Sequence, residues 1–239
     1  MDLLRLPLFP LGTVLFPGEP LPLHVFEPRY LALITALLEL PEDRRVFGVV
    51  AIRQGREVGA DGVSALHDVG CSALLRDVSP RAAGRYDVLA VGVQRFHLVD
   101  TEFGDVRTGV VRMLSDDDRA APAAGRDPGE DPAPGRSVGE LAELVRQAFA
   151  RYRDALLHAR GVPGDAAGLR LPPDPLVLSY AVAAAMVLDL PDKQQLLASP
   201  DTAGRLRAEL VVLRRETAMI RGLAMRPAVE FTRLPYTAN

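Results

Sequence analysis

The sequence predicts an α+β fold, in which a β-rich first half of the chain is followed by a helical second half. Leu4, Leu6 and Leu8 are separated by single residues, which is the side-chain period of a strand with one buried face. Residues 115–137 contain no Val, Ile, Leu, Met, Phe, Tyr or Trp, which predicts a flexible linker. Beyond them, apolar residues recur at helical spacing, which predicts a bundle of amphipathic helices.

The first strand carries two prolines. Because Pro7 and Pro10 have no N–H to donate to a ladder, we expect this strand to lie at a sheet edge or to end early. The segment 16–19, Phe-Pro-Gly-Glu, then predicts a type II turn, with proline presetting φ at its second position and glycine accepting positive φ at its third.

A second strand and a helix follow this turn. Leu21 and Val25 lie on one face of the strand, together with Leu23, and His24 lies on the opposite face. Pro28 suits the first turn of a helix, where its missing N–H costs nothing. Apolar residues at helical spacing continue from there until Pro41.

The rest of the first half predicts a curled, mostly antiparallel sheet. We expect strands at Val46–Ile52, Val69–Leu75, Tyr86–Val99 and Val106–Leu114, with a loop at Ser79–Gly84. The third of these strands is long and contains Gly92, which predicts a bulge or a bend.

The second half carries clear helix start signals. Ser137 and Glu140 form a capping-box pattern, Asp174 precedes a first-turn proline, and Ser199-Pro200 is expected to cap the last helix. We therefore expect a β-rich subdomain at 1–114, a linker at 115–137, a helical bundle at 138–226 and an extended tail at 227–239.

The opening stretch resembles the N-terminal substrate-binding domain of the Lon protease family. The matching runs are Leu6-Pro7-Leu8-Phe9-Pro10-Leu11, Val14-Leu15-Phe16-Pro17-Gly18 and Pro22-Leu23-His24-Val25-Phe26-Glu27-Pro28-Arg29-Tyr30. The resemblance implies a PUA-like β pseudo-barrel with one inserted helix, followed by a helical bundle. It also implies a non-catalytic module that binds unfolded polypeptide segments or a partner protein, as an adaptor or regulator in proteolysis or protein quality control.

On this resemblance, the concave surface between the β-rich half and the helical bundle is expected to hold the bound segment. The candidate contact residues are Phe16, Pro17, His24, Phe26, Arg29, Tyr30, Arg95 and Phe96. They would act through aromatic contacts, or a free strand edge would accept an added strand. The alternative interpretation is that His24, Glu27 and Arg29 form a hydrogen-bonded corner that fixes the strand-to-helix turn, and that Arg95 and Phe96 are core and rim residues.

Several sequence signatures of catalysis and cofactor binding are missing from the 239 residues of the sequence. Lys193 is the only lysine, so no Gly-Lys-Ser/Thr phosphate loop is present and a Ser–Lys dyad is not expected. Cys71 lies in an apolar run and is interpreted as a core residue, and the four histidines show no paired metal spacing. The acidic run at 116–118 is interpreted as a solvated face, so no cofactor or metal is expected.

Charge and composition narrow the class of protein further. The net charge of −3 and the absence of a basic cluster disfavour nucleic acid, although PUA-like barrels make RNA binding an alternative. A single cysteine and the lack of a signal-peptide or membrane-spanning pattern predict a cytoplasmic location. A hydrolase with an unmarked site is the third hypothesis.

Overall fold

The computed structural model describes residues 3–55, 63–102, 104, 106–116, 135–161 and 170–224. Within them the strands are β1 (Leu4–Leu11), β2 (Pro20–Val25), β3 (Val46–Gly55), β4 (Val63–Leu66), β5 (Val69–Arg81), β6 (Arg85–Glu102) and β7 (Thr108–Met113). The helices are α1 (Pro28–Leu38), α2 (Val138–Ala159), α3 (Pro175–Ala185), α4 (Leu190–Leu197) and α5 (Thr202–Ala224). The predicted α+β class, with α1 inserted in the β-rich half, is confirmed.

Strand β1 closes a five-stranded barrel, because its two halves pair with different strands. Leu4–Pro7 lies antiparallel to β7, whereas Leu8–Leu11 lies parallel to β3. The ring is completed by β7–β6, β6–β5 and β5–β3 pairs, while β2 and β4 are added outside it. The expectation of an edge or short strand is therefore wrong. Each half of β1 pairs on one side, so a proline fits where its nitrogen faces the other side.

The barrel interior is filled by two large side chains. Leu8 and Phe96 are fully buried and form one cluster with Val50 and Val111. Glycines on three surrounding strands leave the space for them, and a Cβ on any of these would lie within about 3 Å of a Leu8 or Phe96 side-chain atom: Gly48, Gly70 and Gly109.

The predicted turn and first helix are confirmed, and they cover one side of the barrel. Glu19 N donates to Phe16 O at 3.1 Å, and Gly18 takes a φ of 80°, as a type II turn requires. Helix α1 then buries its apolar stripe against residues of β3, β5 and β6. The stripe consists of Tyr30, Leu33, Ile34 and Leu37.

Two details of the sheet differ from the sequence-based expectations, and a third agrees with them. Strand β5 continues to Arg81 where a loop was expected from Ser79, because its last residues pair with the start of β6. Strand β4 was not expected. The predicted irregularity near Gly92 is present, since Ala73 pairs with Gly92 and Ser72 pairs with Gln94, leaving one extra residue on β6.

The helices form a bundle that packs against the barrel. The capping box of Ser137 and Glu140 is confirmed, and Asp174 caps α3, which ends at Ala185. The last helix is capped by Asp201 instead of Ser199, since Asp201 Oδ1 accepts from Gly204 N at 2.6 Å. Side chains from α2, α3, α4 and α5 share a single core with Val14, Phe16 and Ala51 of the first half.

Two predicted segments fall largely outside the described residues. Of the expected linker at 115–137, the structure describes 115–116 and 135–137, and the expected tail at 227–239 is not described. Asp116 itself is held between the barrel and the bundle by contacts described below. The interpretation of this residue as part of a solvated face is therefore wrong.

Candidate functional site

A groove of about 440 Å³ lies on the outer face of the sheet, where β2 extends the barrel beside β6 and β5, and not on the surface between barrel and bundle where the binding site was expected. Cross-strand pairing defines its two rows. Pro22 lies opposite Leu89, and His24 lies opposite Asp87. On the other side of β6, Asp77 pairs with Leu89 and Ser79 pairs with Asp87. The groove is lined by Pro22, Leu23, His24, Asp77, Ser79, Asp87, Val88 and Leu89.

A polar cluster lies at one end of the groove. His24 Nδ1 donates to Asp87 Oδ1 at 2.7 Å, and Arg81 Nε donates to Asp87 Oδ2 at 2.5 Å. The hydrogen bond from His24 and, after it, that from Arg81 hold the pKa of Asp87 below its usual range. Both carboxylate oxygens are thus engaged, and the three side chains remain open to solvent.

Apolar side chains border this cluster. Phe26 is 49% exposed, and its ring centroid lies 6.2 Å from that of His24. Leu89 is 40% exposed on the adjacent strand, and Pro22 is also exposed. Exposed aromatic and aliphatic side chains beside a groove are typical of a surface that binds another chain.

Four of the sequence-predicted contact residues are buried and cannot line this surface. Phe16 and Phe96 are fully buried, Arg95 is 1% exposed and Tyr30 is 6% exposed. Phe16 faces the helical bundle, Phe96 fills the barrel, and Tyr30 stacks on Phe9 with the ring centroids 4.0 Å apart. As contact residues, these four are corrected to core positions, because elements distant in sequence cover them.

The other four predicted residues lie in or beside the groove and in the turns on either side of β2. His24 lines the groove, Phe26 lies beside His24, and Pro17 is partly buried in the type II turn. Arg29 pairs with Glu27, with Nη2 and Oε2 2.9 Å apart. The alternative of a polar corner is thus met by Glu27 and Arg29, whereas His24 bonds to Asp87 across the strands.

The sequence did not single out the partners of His24. Asp87 is 63 residues further along the chain, and it reaches His24 through the β2–β6 pairing. Arg81, Ser79 and Asp77 join them because β5 continues past its expected end. The alternation of apolar and polar residues along β6 was the available signal for which side chains share a face, but it does not specify which strands pair with β6.

Arg95 has a structural position between barrel and bundle. We call this the junction cluster: Arg95, Asp116, Tyr180 and Arg205. Arg95 Nη1 donates to the carbonyl oxygens of Leu197, at 2.8 Å, and Ser199, at 2.5 Å, at the end of α4. The carboxylate of the cluster accepts from Arg95 Nη2 and, at 2.5 Å, from the Tyr180 hydroxyl.

The second arginine of the junction cluster completes this arrangement. Arg205 Nη1 lies 3.6 Å from Asp116 Oδ1, Arg205 Nε donates to Ser179 Oγ at 2.8 Å, and the guanidinium lies 3.8 Å above the Tyr180 ring centroid. Burial lowers the pKa of Arg205 and raises that of Tyr180. The Asp116 carboxylate therefore lies within ion-pair distance of two guanidinium groups that solvent does not reach.

Groups that would serve catalysis or metal binding are poorly placed in the described part of the chain. Cys71 is fully buried, and burial raises the pKa of its thiol to about 12, which suppresses the nucleophilic thiolate. Among the described residues, no group of three or more His, Cys, Asp or Glu side chains is arranged to hold a metal ion. None of the described helices is both long enough and apolar enough to span a bilayer.

Comparison with known proteins agrees with this architecture. The fold and groove define an α+β domain with a candidate binding face on its barrel. The model of the substrate-binding domain of ATP-dependent protease La (LON) matches residues 5–215, so the chain belongs to this family. It is 29% identical over 216 residues to Lon protease 2 of Herpetosiphon aurantiacus, covering 89% of this chain and 24% of that protein. It is 32% identical over 174 residues to Lon protease 4 of Sorangium cellulosum, covering 66% of this chain and 20% of that protein.

Two solved structures share the fold. The Lon N-terminal domain protein from Xanthomonas campestris aligns with a TM-score of 0.56 at 23% identity, covering 87% of this chain and 98% of that one. The N-terminal domain of a Mycobacterium avium complex Lon protease aligns with a TM-score of 0.53 at 19% identity, covering 90% and 98%. This chain thus spans about a quarter or less of the two full-length relatives, and nearly all of these two separate domains.

Proposed function

We propose that this chain is a non-catalytic recognition module that binds unfolded polypeptide segments, or an exposed segment of a partner protein, in the groove on its barrel. The observation that carries the proposal is the apolar border of Phe26 and Leu89 beside the fixed polar cluster of His24 and Asp87. An unfolded segment offers apolar side chains together with unpaired backbone groups. The apolar border would bury the apolar side chains of the segment, and the polar cluster would orient its backbone groups.

Side-chain docking across the groove fits the structure better than addition of a strand to β2. Gly92 N donates to Glu19 O at 3.0 Å, and amides alternate in direction along an antiparallel pair. The nitrogens of Pro20 and Pro22 therefore face away from β6, at the outer edge of β2. Because proline has no N–H, this edge lacks two of the donors that an added strand would need.

The family supports a proposal for the cellular role. We infer that the module supplies substrates or partners to a proteolytic or quality-control system, as an adaptor or a regulator, and that the chemistry of bond cleavage lies elsewhere. The family is described by substrate binding, and the curated relatives are Lon proteases. The free, buried thiol of Cys71 is compatible with a reducing compartment such as the cytoplasm.

Binding of a labelled, permanently unfolded model protein tests the proposal. Reduced and carboxymethylated lactalbumin, followed by fluorescence anisotropy, is expected to bind the purified chain. Phe26→Ser is expected to weaken this binding at least about tenfold, since a largely buried aromatic contact contributes roughly 1.5–3 kcal/mol. Val99→Ser is the matched control, because Val99 is also 49% exposed but lies near the far end of β6.

Two results would contradict the proposal. One is the absence of saturable binding by the wild-type chain. The other is an equal loss of affinity in Phe26→Ser and Val99→Ser, which would mean that binding is not localised to the groove. Circular dichroism and thermal melting of each variant establish that the fold is retained.

A further inference from the structure

Resting on the function proposed above, we infer that the groove selects polypeptide segments that carry an arginine or lysine side chain flanked by apolar residues. The inference follows from Asp77, the carboxylate of the groove lining that is not engaged by another described side chain. Asp87 has both oxygens engaged by His24 and Arg81. The Asp77 side chain is exposed, and among the described residues its carboxylate forms no hydrogen bond or ion pair.

The position of Asp77 suits a long basic side chain. Asp77 pairs across the sheet with Leu89, which pairs in turn with Pro22. Neighbouring strands are about 4.8 Å apart, so Pro22 and Asp77 are separated by roughly 10 Å of surface with a leucine between them. The methylene stem of an arginine or lysine would lie on Pro22 and Leu89 while its charged end reaches the Asp77 carboxylate.

An acidic side chain would meet the opposite situation. The hydrogen-bond donors at this end of the groove, His24 in its lining and Arg81 beside it, are both already directed at Asp87. An incoming carboxylate would therefore have to displace Asp87 from them and would also approach Asp77. The lining thus attracts a basic side chain and repels an acidic one, which is how charge confers selectivity on an otherwise permissive apolar surface.

Three short unfolded peptides with the same apolar flanks test the inference, with arginine, leucine or glutamate at the central position. Fluorescence anisotropy with the wild-type chain is expected to rank arginine above leucine and leucine above glutamate. An ion pair at an exposed site contributes up to about 1 kcal/mol, so we expect each step to be about threefold to fivefold. The differences should shrink as salt is raised, because exposed charges are screened.

A charge swap separates selectivity from structural damage. Asp77→Lys is expected to reverse the ranking, so that the glutamate peptide binds tightest, and Asp77→Asn is expected to flatten it. Asp154→Asn, at an exposed carboxylate on α2, is the matched control and should keep the wild-type ranking. A reversal cannot result from a merely loosened fold, which would weaken all three peptides alike.

The outcomes distinguish this inference from the function on which it rests. Equal affinity for the three peptides, with binding still lost in Phe26→Ser, would overturn the charge selectivity and leave the recognition module standing. Binding of none of the peptides or of the unfolded model protein would overturn both. Reversal by Asp77→Lys with retention in Asp154→Asn would support the inference.

Discussion

Removing the carboxylate of the junction cluster should strongly destabilise the protein. Asp116→Ala leaves Arg95, 1% exposed, and Arg205, fully buried, without their shared anion. Deleting one partner of a buried ion pair typically costs about 3–5 kcal/mol, because the remaining charge stays desolvated. Domains of this size unfold with about 5–15 kcal/mol, so the variant should lose a large fraction of its stability.

Urea unfolding followed by circular dichroism measures this loss. Asp154→Ala is the control, since it removes an exposed carboxylate from α2 and should leave the free energy of unfolding within about 0.5 kcal/mol of wild type. Arg95→Met in the Asp116→Ala background should cost less than Arg95→Met alone, because the two residues are coupled. A value for Asp116→Ala that matches the Asp154→Ala control would refute the reasoning.

Three further predictions concern buried positions. Gly92→Ala should lower the free energy of unfolding, measured in urea, by about 1–3 kcal/mol or more, because its Cβ would lie 2.1 Å from a backbone oxygen and overpack the site. The control Gly139→Ala, on α2 with open space around its Cβ, should be neutral or stabilising. Burial raises the pKa of Glu209 well above 4.5, so the folded chain keeps a proton that the unfolded chain releases, and stability should fall as pH rises above that value. Glu209→Gln should therefore be more stable than wild type at pH 7 and have a flatter pH profile, whereas a less stable variant would indicate an ionised carboxylate. Cys71, with its thiol pKa raised to about 12, should resist iodoacetamide at pH 8 until urea unfolds the chain, as mass spectrometry would show.

Local signals in the sequence predicted local structure well. The type II turn at Gly18, the capping box at Ser137 and the first-turn proline of α3 depend on residues within one turn of each other. The alternation of β2 correctly placed His24 on the outer face, because side-chain direction in a strand is set by period two. Each of these features is decided by backbone geometry over a few residues.

The burial of the candidate site residues was decided by contacts between distant parts of the chain. Phe16 is the first residue of a turn motif that is typical of exposed segments, but the helical bundle covers its side chain. Arg95 was named as a candidate contact residue, with a core or rim position as the alternative, and it is buried because Asp116 and the end of α4 neutralise and bind it. Such pairing over 21 and 102 residues leaves no periodic signal in the sequence.

The groove residues that the sequence did not indicate show the same limit. His24 and Phe26 were identified because they belong to the dense opening motif. Asp77 and Asp87 were not, since each is an ordinary polar residue within its own strand. Only the β2–β6–β5 pairing brings them together, and sheet pairing is the least local of the choices that a chain makes.

The closure of the barrel by β1 determines the order in which its strands can pair during synthesis. Leu4–Pro7 finds its ladder partners only in β7, about a hundred residues later, while Leu8–Leu11 can already pair with β3. On the ribosome, the second half of the strand can therefore dock first, and its first half must wait until Met113 has emerged. These residues are made before every other strand of the barrel and are thus among the last to be paired, and a nascent chain halted before β7 would present them to any cellular factor that binds unpaired strands.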